Sequence, residues 1–167
     1  MTDPGPGQVL FTFVRHWSRR SSPPSSPDGA EQGRLVLVTE AVHALTRRGI
    51  PATVNAVAHE IGIDQSGASR LMRQATEAGY LSVRASRTDA RRRHATVTAS
   101  GRTMLRHAHD WQEQVFDRLT EGWSEQRRRD FQQAMTDLID RSHPLDAAPA
   151  SPPERSKGDG GRRGGAA

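Results

Sequence analysis

Apolar residues recur along this chain with two different periods, and the changes between them outline its elements. Leu10, Phe13, Val14 and Trp17 fall three or four apart, which predicts a short amphipathic helix over 8–20. Residues 21–33, SSPPSSPDGAEQG, read as a breaker-rich loop. Leu35, Val38, Ala41, Val42 and Leu45 share one broad face of a largely buried helix over 35–48, with Gly49 placed as its stop. A shorter helix over 53–61 turns Val54, Val57, Ala58 and Ile61 inward and ends at Gly62. Asp64 is a good N-cap for a helix over 65–78, which Gly79 closes. The period then changes: 80–85 and 94–99 read as two short strands around a polar turn. A helix over 101–119 follows, striped by Met104, Leu105, Ala108, Trp111, Val115 and Leu119. Another covers 124–141, with Phe131, Ala134, Met135, Leu138 and Ile139. The result is a mainly α chain with one small β-hairpin.

The two ends differ in kind. Residues 1–7 form a Pro/Gly tail that is expected to fray. In 143–167, Gly, Pro and Ala supply 14 of 25 positions, too little apolar surface for that tail to order itself. Between them lies about one domain's length of chain. Only 34% of the 167 residues are hydrophobic, so the core is modest and a dimer that shares apolar faces is favoured. No apolar run approaches the roughly 18–20 residues of a membrane span. The first eight residues are polar rather than basic then apolar, unlike a signal peptide, and a cytoplasmic protein is expected. There is no cysteine, which excludes disulfides and a thiol switch.

Charge is more informative in its distribution than in its total of +5. Between residues 70 and 106 stand nine arginines (70, 73, 84, 87, 91, 92, 93, 102 and 106) against only Glu77 and Asp89. The positive field is therefore focused, and it suits a polyanion. The same stretch begins with helix, tight turn, helix. Ala58 is small where two helices must approach closely, and Gly62 sits where a positive φ is usually needed. Ile63 and Ala68 are expected to plug the angle between the helices. Gln65, Ser66, Gly67, Ser69, Arg70 and Arg73 then lie on the exposed side of the second helix, whose first turns are the part that meets base edges in duplex DNA. The hairpin, with Asp89-Ala90-Arg91-Arg92-Arg93 at its tip, completes a winged helix-turn-helix.

This stretch resembles the MarR family of bacterial transcription regulators. The family's recognition helix reads roughly Asp-x-Ser-x-x-Ser/Thr-Arg-Leu, matched by Asp64, Ser66, Ser69, Arg70 and Leu71. Gly79-Tyr80-Leu81 matches its entry to the first wing strand, and Asp89, Arg91, Thr98 and Gly101 match Asp-x-Arg and Thr-x-x-Gly of the wing. The resemblance covers about 35–119 closely and departs at Gly67, Ala75, His94 and Ala95. It implies one domain over 8–142, in which 8–34 and 102–142 are dimerisation helices and 35–101 is the DNA-binding lobe. It implies a homodimer on a pseudo-palindromic operator, most simply a repressor. Arg91 would enter the minor groove, oriented by Asp89, while Arg92 and Arg93 touch phosphates; Arg84 and Arg87 belong to the same DNA-facing hairpin. It further implies a small aromatic or phenolic effector between the dimer helices and the lobe, for which Arg15, His16, Trp17, His43 and Trp111 are the candidates.

Other chemistry is poorly supported. His107 and His109 project roughly 200° apart on a helix and cannot share a metal. His59-Glu60 lacks the second histidine of a zinc-protease helix, since position 63 is Ile. No metal or cofactor is expected. No cysteine nucleophile, paired-carboxylate constellation, P-loop or dinucleotide fingerprint points to an enzyme. Arg127, Arg128 and Arg129 read as a solvated helix face. The rival reading is a winged helix that docks on another protein, an anti-activator without sequence-specific DNA binding, which an acidic or neutral recognition face would have favoured.

Overall fold

The turn signals in the middle of the chain fix its architecture. A computed structural model describes residues 3–17, 29–85 and 93–147. Its elements run α1 (Pro6–Trp17), α2 (Gly29–Arg47), α3 (Val54–Ile61), α4 (Gln65–Glu77), β1 (Leu81–Ala85), β2 (Arg93–Val97), α5 (Ala99–Leu119) and α6 (Glu125–Ala147). The chain divides between Leu119 and Thr120 into two compact units.

In the first unit, α2, α3 and α4 close around one core. Val38, Val42, Val57, Ala68 and Ala75 are completely buried, and Leu45, Ala58, Leu71 and Met72 complete the cluster with Leu81 and Ala95 of the hairpin. Helix α2 buries a second face as well. Its Val36 packs with Met104, Leu105 and Ala108 of α5, and Tyr80 and Val97 touch both clusters. Thr39 is buried between these faces at no hydrogen-bonding loss, because its hydroxyl donates to Leu35 O at 2.7 Å.

The strands pair antiparallel in the register Leu81 with Val97 through Ala85 with Arg93. A third, one-residue strand lies beside them: Ala95 N–H donates to Ala52 O at 2.9 Å.

Several boundaries differ from the expectation. α1 starts at Pro6, inside the expected tail, since Pro is pre-organised for a first helical turn and Gly5 O receives the Val9 N–H at 3.2 Å. Residues 18–20 of that expected helix, and most of the 21–33 loop, lie outside the described residues. α2 starts at Gly29 rather than near 35, because no proline stands between Pro27 and Pro51 and Glu31 suits a helix N-terminus. α6 continues to Ala147, five residues into the expected tail, as each added residue extends a formed helix without a new nucleus.

In the second unit, Ser124 caps α6 by accepting the Arg127 N–H at 3.2 Å. Trp123 packs edge-on against Phe131 at 5.7 Å, with the Arg127 guanidinium 4.1 Å over its ring. Arg128 donates to Thr120 O and Arg129 to Glu125, so these arginines serve the start of α6. No helix among the described residues is long and apolar enough to cross a membrane.

Candidate nucleic-acid interface

Two caps set the angle between α3 and α4. Thr53 starts α3 by accepting the Ala56 N–H at 3.2 Å. Gly62 ends it with φ 69°, left-handed, and the reversal lets Ile63 N–H reach back to Ala58 O at 3.0 Å. Asp64 then starts α4: its Oδ1 accepts the Gly67 N–H at 2.6 Å and the Ser66 hydroxyl at 2.8 Å. These bonds, the Gly67 N–H first and the Ser66 hydroxyl next, hold the Asp64 carboxyl below its ordinary value, with a smaller contribution from the Arg70 charge. An ion pair between Arg48 and Glu60 ties the end of α2 to α3.

Helix α4 is sharply two-sided. Ala68, Leu71, Met72 and Ala75 are buried, while Gln65, Ser66, Ser69, Arg70 and Arg73 are exposed. At about 100° per residue the five exposed side chains fan over an arc of roughly 140°. Gly67 is half-buried at its edge, and no acid interrupts the arc before Glu77. Ala68 plugs the angle between the helices as expected. Ile63 does not: it is exposed, because the left-handed Gly62 swings it outward, and only its Cδ1 reaches toward Gly67.

The hairpin is joined to the next helix through Thr98 and Gly101. Thr98 N–H donates to Tyr80 O at 3.0 Å, its hydroxyl lies 2.6 Å from Gly79 O and 3.1 Å from Tyr80 O, and its Oγ1 accepts the Gly101 N–H at 3.0 Å. Gly101 is buried against this joint, and a Cβ there would stand 2.3 Å from Tyr80 O. The motif residues Thr98 and Gly101 thus orient the wing against α5. Arg84 on β1 and Arg93 on β2 are exposed. Arg87, Asp89, Arg91 and Arg92 lie outside the described residues. Of the remaining clustered arginines, Arg102 donates to Val97 O and Arg106 to Thr103, so both support the start of α5.

The effector candidates are distributed over three helices. Arg15 and His16 are exposed on α1, Arg15 donating to Thr12 and His16 edge-on to Trp17 at 5.5 Å. Trp17, His43 of α2 and Trp111 of α5 are half-buried. A pair that the sequence did not suggest, His109 Nε2 and Glu40 Oε1 at 2.6 Å, links α5 to α2. An open cleft of about 670 Å³ lies elsewhere, between the Gly49–Thr53 turn, Ala56 and β2, and includes none of the five candidates. Among the described residues no three His, Asp or Glu side chains are grouped to hold a metal.

No protein-family profile and no curated protein sequence matches the chain. Solved structures do. MarR is similar over 88% of this chain and 97% of its own, with a TM-score of 0.64 and 21% identity. A complex of Staphylococcus aureus MepR with DNA matches over 79% and 93%, with a TM-score of 0.54 and 16% identity. Bordetella bronchiseptica BpsR, whose DNA binding is regulated by 6-hydroxynicotinic acid, matches over 78% and 98%, with a TM-score of 0.52 and 18% identity. With its helix-turn-helix, its hairpin and its flanking helices in this order, the chain has the MarR-type winged helix fold.

Proposed function

We propose that the protein is a transcriptional regulator that binds duplex DNA sequence-specifically as a homodimer, and that it represses by occupying a pseudo-palindromic operator. The observation that carries this is the exposed polar and basic arc of α4, free of acids before Glu77, on a helix whose other face is locked into the core. Small residues at its first turn (Ser66, Gly67) allow a deep seat in the major groove, and Arg84 and Arg93 extend the positive surface along the hairpin. Arg87, Arg91 and Arg92 would reach DNA from the wing, with Asp89 orienting Arg91.

Dimerisation has its own support. Val9, Leu10, Phe11, Phe13 and Val14 of α1, and Phe131, Leu138 and Ile139 of α6, are exposed in the single chain. Apolar surface on both flanking helices is costly in water and suits a shared interface. Small-molecule control is supported by the likeness to BpsR, and a small aromatic acid at Arg15, His16, Trp17, His43 and Trp111 is the effector class proposed here. Such a regulator acts where the DNA is, in the cytoplasm.

Selection from randomised duplexes tests the reading, followed by affinity measurements at several salt concentrations. An enriched inverted repeat with half-sites about one helical turn apart is expected. Binding without an enriched sequence, or no binding, overturns it.

A further inference from the structure

Resting on the DNA-binding reading above, we infer a division of labour on α4: Arg70 and Gln65 read bases, Ser66 is committed to the helix cap, and Arg73 holds a phosphate. Ser66 is among the residues that the sequence places at the base edges. Its hydroxyl proton is already given to Asp64 Oδ1 at 2.8 Å, and that oxygen also takes the Gly67 N–H at 2.6 Å. Using Ser66 as a donor to a base would give up this charge-assisted bond to the capping carboxylate. Gly67 offers no side chain, and Ala68, Leu71 and Met72 are buried. In the first two turns this leaves Gln65, Ser69 and Arg70 as exposed side chains with no hydrogen bond to another described residue. Ser69 is too short to discriminate strongly.

The chemistry of the two long side chains then names the bases. A guanidinium matches guanine O6 and N7 bidentately, and a carboxamide matches adenine N6 and N7. Five residues separate Gln65 from Arg70, a rise of about 7.5 Å along the helix, against about 3.4 Å per base pair. Each half-site should therefore hold an adenine and a guanine roughly two base pairs apart. Arg73 stands one turn further along, where a helix leaving the groove meets the backbone, and its charge fits a phosphate.

The test is a panel of every single base-pair change in the selected operator, bound by the full-length protein and by exposed-site variants whose folding is checked by circular dichroism. Arg70→Ala is expected to flatten the guanine preference, by about 5- to 150-fold, while Arg70→Lys, whose ammonium can also donate to guanine O6 and N7, keeps its non-specific affinity and part of that preference. Gln65→Ala should flatten the adenine position alone. Ser66→Ala should leave the preference profile intact, and Arg73→Ala should weaken all sequences alike and lower the salt slope by about one per protomer. Uniform loss with Arg70→Ala, or a position flattened by Ser66→Ala, overturns the assignment. Absence of any preferred sequence for the unaltered protein would instead defeat the regulator reading, and the assignment with it.

Discussion

Replacing Gly101 by alanine sets two opposite effects against each other, and the structure decides between them. Helix propensity alone favours the change by roughly 1 kcal/mol. The added methyl, however, would lie 2.3 Å from Tyr80 O and 2.8 Å from Val97 Cγ1. Carbon contacts are optimal near 3.5–4.0 Å, so the overlap with the carbonyl is about 1 Å. Tyr80 O cannot simply move: it accepts the Thr98 N–H at 3.0 Å and faces the Thr98 hydroxyl at 3.1 Å. Relief requires α5 to lift from the hairpin. That costs about 1–3 kcal/mol for overpacking and about 0.5–1.5 kcal/mol for each hydrogen bond weakened at Thr98. The net expectation is destabilisation by about 2–4 kcal/mol, read by urea unfolding at one fixed protomer concentration. Gly67→Ala is the internal control. Its methyl would lie 3.2 Å from Asp64 Oδ1 and 3.4 Å from Ile63 Cδ1, a mild crowding that helix propensity largely offsets. A Gly101→Ala protein as stable as the unaltered one, or two alanine variants of equal stability, would refute the reasoning.

Three further outcomes follow from the same local geometry. Thr98→Val keeps the shape and removes the hydroxyl that joins Gly79, Tyr80 and Gly101, and should cost about 1–3 kcal/mol in urea unfolding. Gly62→Ala meets no neighbour within 4 Å, so its cost should be only that of left-handed backbone, about 1–2 kcal/mol, measured in the same way. The Asp64 carboxyl titrates below its ordinary 3.8 when folded, so the stabilisation from its charge is present above that value and is lost as pH falls through the folded value. Asp64→Asn keeps a good cap without that charge, so its stability deficit should shrink in acid, as followed by unfolding at several pH values.

Local chemistry was the legible part of this fold. Thr53, Gly62 and Asp64 act through neighbours within a few residues, so α3, the turn and α4 stand where their spacing predicts. The helix ends were less legible because their extent depends on propagation: α2 begins already at Gly29, and α6 runs on past Pro144 to Ala147. The second buried face of α2 at Val36 and the Ala52–Ala95 bridge depend on partners distant in sequence. The candidate site shows the same divide. Exposure of Gln65, Ser66, Ser69, Arg70 and Arg73 could be read from their period. That Ser66 turns its hydroxyl back on Asp64 could not, nor that Arg102 and Arg106 are tied to the start of α5. An arginine-rich stretch gives the sign of the surface, whereas the structure shows which of the described cations are tied to their own helix.

The most direct test of the account is guanine methylation interference on the selected operator, which asks where the protein needs an open major groove. The account predicts two symmetric sites of interference at guanine N7, about 10–10.5 base pairs apart, one for each Arg70 of a dimer. Interference at a single site, at sites with no dyad, or nowhere in the major groove would contradict it.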